Sequence, residues 1–232
     1  IPNSPTMKRI FYAALLAVAS LLAGIPAAAQ HFTCAQYETD AKRWQDIEQL
    51  FKRQGWAQWA LAVKDAFPLN NDRSIQFKYV IASDVACSQK QLTDLVQKWI
   101  TLEHPNVLPL PSGQTVDLKV QTLWDNVAHS YRVFSAAYVS AKSETFVEFK
   151  ENRLRITVTV SRYVMGAASP FQINSDTPLV GDCYPFDLNG KWKNVLAMAY
   201  INSNQKALDQ VASLLNYLNR HTATPSKADK DW

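Results

Sequence analysis

Apolar residues recur at helical spacing in three stretches of the chain and at alternate positions in several others. Over residues 33 to 67, Tyr37, Ala41, Trp44, Ile47 and Phe51 make one stripe, with Lys42, Arg43, Asp46 and Glu48 between them. Gly55 is expected to break this helix, and Trp56, Trp59, Leu61 and Val63 continue the pattern in a shorter second one. Pro68, Asn70, Asn71 and Asp72 then read as a loop. The first strand is Ile75 to Ile81, whose apolar Ile75, Phe77, Tyr79 and Ile81 alternate with Gln76 and Lys78. Ser88 and Gln91 have the spacing of a capping box, opening a helix with the stripe Leu92, Leu95, Val96, Trp99 and Ile100 that stops by Pro105.

Strands follow. Val116, Leu118, Val120, Thr122 and Trp124 alternate with polar residues, and Asp125–Asn126 predicts a turn. Tyr131 to Ser140 and Thr145 to Lys150 read as two further strands. Glu151 and Asn152 make a tight connection into Leu154, Ile156, Val158 and Val160. Short connections imply antiparallel neighbours, and alternation implies one face on a core and one in water. Residues 167 to 190, with three prolines and two glycines, read as a long loop. Leu196, Tyr200, Ser203, Ala207, Val211, Leu214 and Leu218 close the pattern as one helix. A strand over Val195 to Ile201 with a shorter helix capped at Ser203 is the alternative.

The elements therefore predict an α+β fold. A twisted antiparallel sheet of about five strands carries helices on one face, because the apolar sheet face and helix stripes must bury each other. An N-terminal helical segment precedes it.

The first residues alter the expected compartment. Lys8 and Arg9 precede an apolar run from Ile10 to Leu22, then Gly24, Pro26 and Ala27-Ala28-Ala29. This is the order of a secretory signal peptide with cleavage before Gln30. Ile1 to Thr6 read as an upstream extension of the frame. Pro26 cuts the run short of the ~20 residues a spanning helix needs. The expected organisation is thus an extension and signal peptide over 1–29, a helical segment over 30–72, the α+β domain over 73–220, and a disordered polar tail over 221–232. The product is expected to be soluble and exported to the periplasm or outside the cell, without a transmembrane anchor after cleavage. Net charge is +4, and Lys8 and Arg9 account for part of it. So near-neutral a mature chain argues against nucleic acid as a partner. Cys34, Cys87 and Cys183 allow at most one internal pair. Their separate elements favour no disulfide.

The order of elements behind a signal peptide resembles a family of exported Bacteroidetes proteins, a domain of unknown function with a TATA-binding-protein-like (TBP-like) fold. The resemblance covers residues 74 to 163. It rests on the strand Ile75–Ile81, the helix with Trp99 in its last turn and the strand Arg153–Tyr163. The segment Tyr184-Pro185-Phe186 and the tail ending in Trp232 are also similar. The helical stretch 33 to 67 and the cysteines depart from it. It implies the sheet-and-helix fold and brings no catalytic residues.

Candidate chemistry is sparse. No two of His31, His104, His129 and His221 stand three or four residues apart, so no helical zinc pair is present. His104 falls at a helix C-terminus, where a cation is favoured. Neither a G-x-S-x-G elbow nor a Gly-rich phosphate loop occurs. Cys183 with His129 is the one pair that can be written as a cysteine hydrolase. Asp182 and Asp187 flank a proline loop but lack the regular donors of a calcium site. No catalytic, cofactor or metal residue is therefore assigned. Aromatics are more abundant than one core face needs. Trp56, Trp59, Tyr184 and Phe186 are the candidate partner-binding residues, since aromatics anchor interfaces. The expected function is a non-enzymatic envelope module that binds a protein, peptide or glycan. The alternative is a hydrolase whose active site is dispersed along the sequence.

Overall fold

A computed structural model describes residues 32–104, 110–111, 117–132, 135–169, 172–183 and 193–222. The signal-peptide segment, Tyr184, Phe186, Asp187 and the last ten residues lie outside the described residues. The chain runs through β1 (Phe32–Thr33), α1 (Ala35–Phe51), α2 (Trp56–Ala66), β2 (Ile75–Ser83), α3 (Gln89–Glu103) and β3 (Leu110–Pro111). It continues through β4 (Leu118–Arg132), β5 (Ser135–Lys150), β6 (Arg153–Ser169), β7 (Gln172–Asp176), a 3-10 turn (Val180–Cys183) and α4 (Lys193–Thr222).

The strands form one antiparallel sheet in the order β1-β2-β6-β5-β4-β3, with β7 also on β6. β2 pairs with residues 153–160 of β6 and β7 with residues 165–169, so the two share the side of β6 that β5 leaves free. The fold is α+β, an antiparallel sheet with helices on one face. Inward residues Ile75, Phe77, Tyr79 and Ile81 of β2 and Leu154, Ile156, Val158 and Val160 of β6 are buried. Across the other face run polar cross-strand pairs. Arg155 is bonded to Glu148, and Lys119 lies 2.7 Å from Glu144.

Each helix follows its sequence signal. Gly55 takes φ +102°, which an L side chain rarely adopts, and separates α1 from α2. Ser88 accepts from the Gln91 N–H while the Gln91 side chain accepts from Ser88 N–H, completing the capping box of α3. Leu92, Val96, Trp99 and Ile100 are buried, and Leu95 packs beside them. His104 is the C-cap of α3. α4 is a single helix, and the alternative strand over 195–201 does not form. It packs on the sheet and on α2, which buries it around much of its circumference.

Three expectations fail in the strand region. Asp125–Asn126 is a bulge within β4, where the register shifts between Trp124 and Ala128. Asn126 sits there at φ +49°. Bulges and turns draw on the same residues tolerant of left-handed backbone, which is why the two were confused. The hairpin comes later, between Arg132 and Ser135. The expected strand Tyr131–Ser140 therefore straddles it, and Thr145–Lys150 is the end of β5. Residues 167 to 190 are likewise not one loop. β6 extends to Ser169, and β7 and the 3-10 turn follow. Arg73 holds that turn, donating to Gly181 O at 2.7 Å and pairing with Asp182 at 2.7 Å. α4 also runs past the expected domain end, to Thr222.

Candidate binding cleft

The site is built where β1 stops. Thr33 pairs with Ala82 and Phe32 with Ser83, and the chain then turns into α1 at Ala35. The N–H and carbonyl of Phe32 are held by the Asn219 side chain of α4, at 2.8 and 3.0 Å. β1 thus covers only the end of β2. Ser83 donates its N–H to Asn152 O. Alternation in an antiparallel ladder then turns the main-chain groups of Phe77, Tyr79 and Ile81 toward β6, and those of Gln76, Lys78 and Val80 away from it. Among the described residues no strand pairs with these last three.

α1 flanks this open edge and leaves a cleft of about 320 Å³. Gln36, Asp40 and Arg43 of α1 line one wall, Phe67 and Pro68 close one end, β2 from Ile75 to Tyr79 forms the other wall, and Asn204 of α4 reaches it from below. The volume is at the low end for ligand-binding sites, about 300–1,000 Å³.

The accessible lining is mainly polar, and three nearly buried aromatic residues, Phe67, Phe77 and Tyr79, stand behind it. Tyr79 donates its hydroxyl to Asp40 Oδ2 at 2.9 Å, and the Tyr37 ring stands edge-on to it at 5.9 Å. Phe67 contacts Phe77 at 5.6 Å and Trp44 at 5.9 Å. Arg43 lies over the Phe67 ring and donates to Ala66 O at 3.1 Å. Burial pushes the Tyr37 phenol up to about 12, with the Asp209 charge adding to it. Burial also raises the Tyr79 phenol, followed by its bond to Asp40. Both are therefore neutral donors at any physiological pH.

Asn204 is one of six described residues with a buried polar side-chain atom that has no hydrogen-bond partner, and it lines the cleft. It is 0% exposed, and its Nδ2 donates to Tyr200 O at 2.8 Å. Its Oδ1 is buried without a hydrogen-bond partner among the described residues. A buried acceptor left unmade costs about 1–3 kcal/mol, so it is a position where a bound donor would gain.

Of the sequence-derived candidates, Trp56 and Trp59 do not line the cleft. Trp56 and Trp59 stack at 5.6 Å and 13° on the first turn of α2, half-buried against the core. Trp59 stands seven residues, about 10 Å of helix, before Ala66 at the cleft. Cys34, Cys87 and Cys183 are all buried. His129 is exposed on β4, and Cys183 lies in the 3-10 turn. Among the described residues no three His, Cys, Asp or Glu side chains are grouped to hold a metal ion, and no helix is long and apolar enough to cross a membrane. The cleft residues Asp40, Arg43, Phe67, Tyr79 and Asn204 were missed. One signal was available: Ser203-Asn204 puts two polar residues inside an apolar helix stripe.

No protein-family model matches the sequence, and no curated protein matches it. Two solved structures are similar in fold to this chain. One is a TBP-like protein from Parabacteroides distasonis ATCC 8503, at 12% identity and TM-score 0.44, covering 65% of this chain and 97% of that one. The other is a DUF4468 family protein from Bacteroides ovatus ATCC 8483, at 14% identity and TM-score 0.40, covering 69% and 92%. Both descriptions coincide with the resemblance noted in the sequence.

Proposed function

We propose that the chain is an exported, non-enzymatic interaction module of the cell envelope, and that it binds a partner in the cleft between α1 and β2. The cleft carries the reading: a strand edge and an Asn204 Oδ1, both without partners among the described residues, converge there with the charged Asp40 and Arg43. The charged, apolar and Ala-rich order of the first segment supports export. The cross-strand ion pairs on the open sheet face support a solvated surface there, and so support a partner other than nucleic acid. Trp56 and Trp59, on the first turn of α2, offer a second contact.

Photo-crosslinking in the producing cell tests this. A crosslinking residue in place of Arg43 is expected to capture a defined partner. The same residue in place of Thr157, on the open sheet face, is expected to capture none. Equal capture at both sites, or at neither, contradicts the proposal. Fractionation should recover the protein outside the cytoplasm with an N-terminus at Gln30, and recovery with Met7 intact contradicts export. Turnover of any substrate in a peptide, glycan and ester panel, abolished by Cys183→Ser or His129→Ala, would overturn the non-enzymatic reading.

A further inference from the structure

We infer that the occupant of the cleft is an extended peptide segment of a partner protein, which adds to β2 as one more strand. This rests on the cleft being the binding site and names what it binds.

The edge itself selects the ligand class. Gln76, Lys78 and Val80 present main-chain donors and acceptors at every second residue, and only another extended main chain offers the complementary series at that repeat. Val80 is 52% exposed, so an incoming strand meets no covering side chain there. Strand addition of this kind draws affinity from main-chain bonds and selectivity from pockets that take alternate side chains. Here the pocket side is set by the inward face of β2. A peptide side chain pointing the same way as Phe77 and Tyr79 enters between Phe67 and Asp40, above Asn204.

That side chain meets a mainly polar lining with only the edges of Phe67 and Phe77 exposed, so it needs a short apolar stem and an N–H or O–H tip. Two acceptors border this position: the Asp40 carboxylate, which already accepts from Tyr79, and the enclosed Asn204 Oδ1, which a donor reaches once the side chains over it part. Glutamine fits this description, and an aliphatic or carboxylate side chain leaves Asn204 unsatisfied. A second copy of this chain fits less well. Antiparallel joining of two β2 edges has its two-fold axis perpendicular to the sheet, which brings both α1 helices to one side of the joint.

Selection of displayed linear eight-residue peptides on the full chain supplies the probe. The best binder is then synthesised with N-methyl groups at each position in turn. Methylation at alternate residues is expected to weaken binding about tenfold or more, since each removes a main-chain donor, while the intervening positions change little. Asn204→Leu is expected to lower affinity about tenfold as well, with the melting temperature held. The amides of Lys78 and Val80 are expected to gain exchange protection on binding. Binding that depends on Asn204 but ignores N-methylation and leaves both amides unprotected would overturn strand addition and keep the cleft. Binders indifferent to Asn204→Leu and Arg43→Ala, or no binder at all, would overturn the cleft with it. A concentration-dependent dimer that competes with the peptide would make the occupant a second copy and also refute the inference.

Discussion

Two tryptophans are buried on two different helices, and they are treated differently. Trp99 of α3 is 1% exposed, and its indole N–H donates to Ser213 Oγ of α4 at 3.1 Å. Ser213 in turn donates to Glu103 Oε1 at 2.6 Å. Trp44 of α1 is as deeply buried, yet its indole N–H has no partner among the described residues. α3 carries a complete capping box, whereas α1 begins at Cys34 with no side-chain cap. The α3 side is built to close the core. The α1 side leaves a strand edge, the Trp44 indole and the Asn204 amide oxygen without partners among the described residues; beside α3, Gln210 Oε1 is in the same position. Polar groups buried without partners cost stability, and such local departures are expected at functional sites. On the proposed reading, the α3 side serves stability and the α1 side serves binding.

The largest expected effect lies on the α3 side. Trp99→Ala should cost about 3–5 kcal/mol, the range for large core truncations, read from denaturant melts. A loss under about 1 kcal/mol would mean that Trp99 is not part of the core. The finer contrast is between Trp99→Phe and Trp44→Phe. Both remove similar volume, but only the first breaks a hydrogen bond, so it should be the costlier by about 1 kcal/mol. Equal costs would show that the Trp44 indole is satisfied in solution.

Asn204→Leu separates the two sides more sharply. It removes a buried unmet acceptor together with one bond to Tyr200 O. Stability should stay within about 1 kcal/mol of the parent, while binding at the cleft is lost. A loss of several kcal/mol would make Asn204 a structural residue.

The smallest effect is a pH dependence on the α3 side. His104 packs on Trp99, with Nε2 3.2 Å from Gln210 Nε2. Burial holds its pKa below the usual histidine value, although the Glu103 charge opposes this. The unfolded chain therefore takes up this proton first. The contribution of His104 is fully present above about pH 6.5 and falls as pH drops toward the lower folded pKa. His104→Gln should flatten the change in urea midpoint between about pH 7.5 and 5. An unchanged slope would assign the dependence to another group.

Helices and core were legible in the sequence because their signals are local. The Ser88–Gln91 box, Gly55 and the Trp99 stripe each act within a few residues, and each appears where expected. The strand boundaries were less legible. Asp125–Asn126 carries turn chemistry but serves a bulge, and only the pairing of β4 with β5 decides between them. The cleft was hardly legible at all. It depends on Phe67, Tyr79 and Asn204 arriving from three distant elements, and on β1 being only two residues long. Aromatic abundance pointed to Trp56 and Trp59, whose rings stack on one another, half-buried beside the core.

Amide hydrogen exchange along β2 in the free protein tests the open edge most directly. Lys78 and Val80, whose N–H groups face away from β6, should exchange fast, while Phe77, Tyr79 and Ile81 stay protected by the ladder to β6. That alternation is the expected result. Uniform slow exchange from Phe77 to Ile81 would show the edge already covered, and would contradict a binding site there.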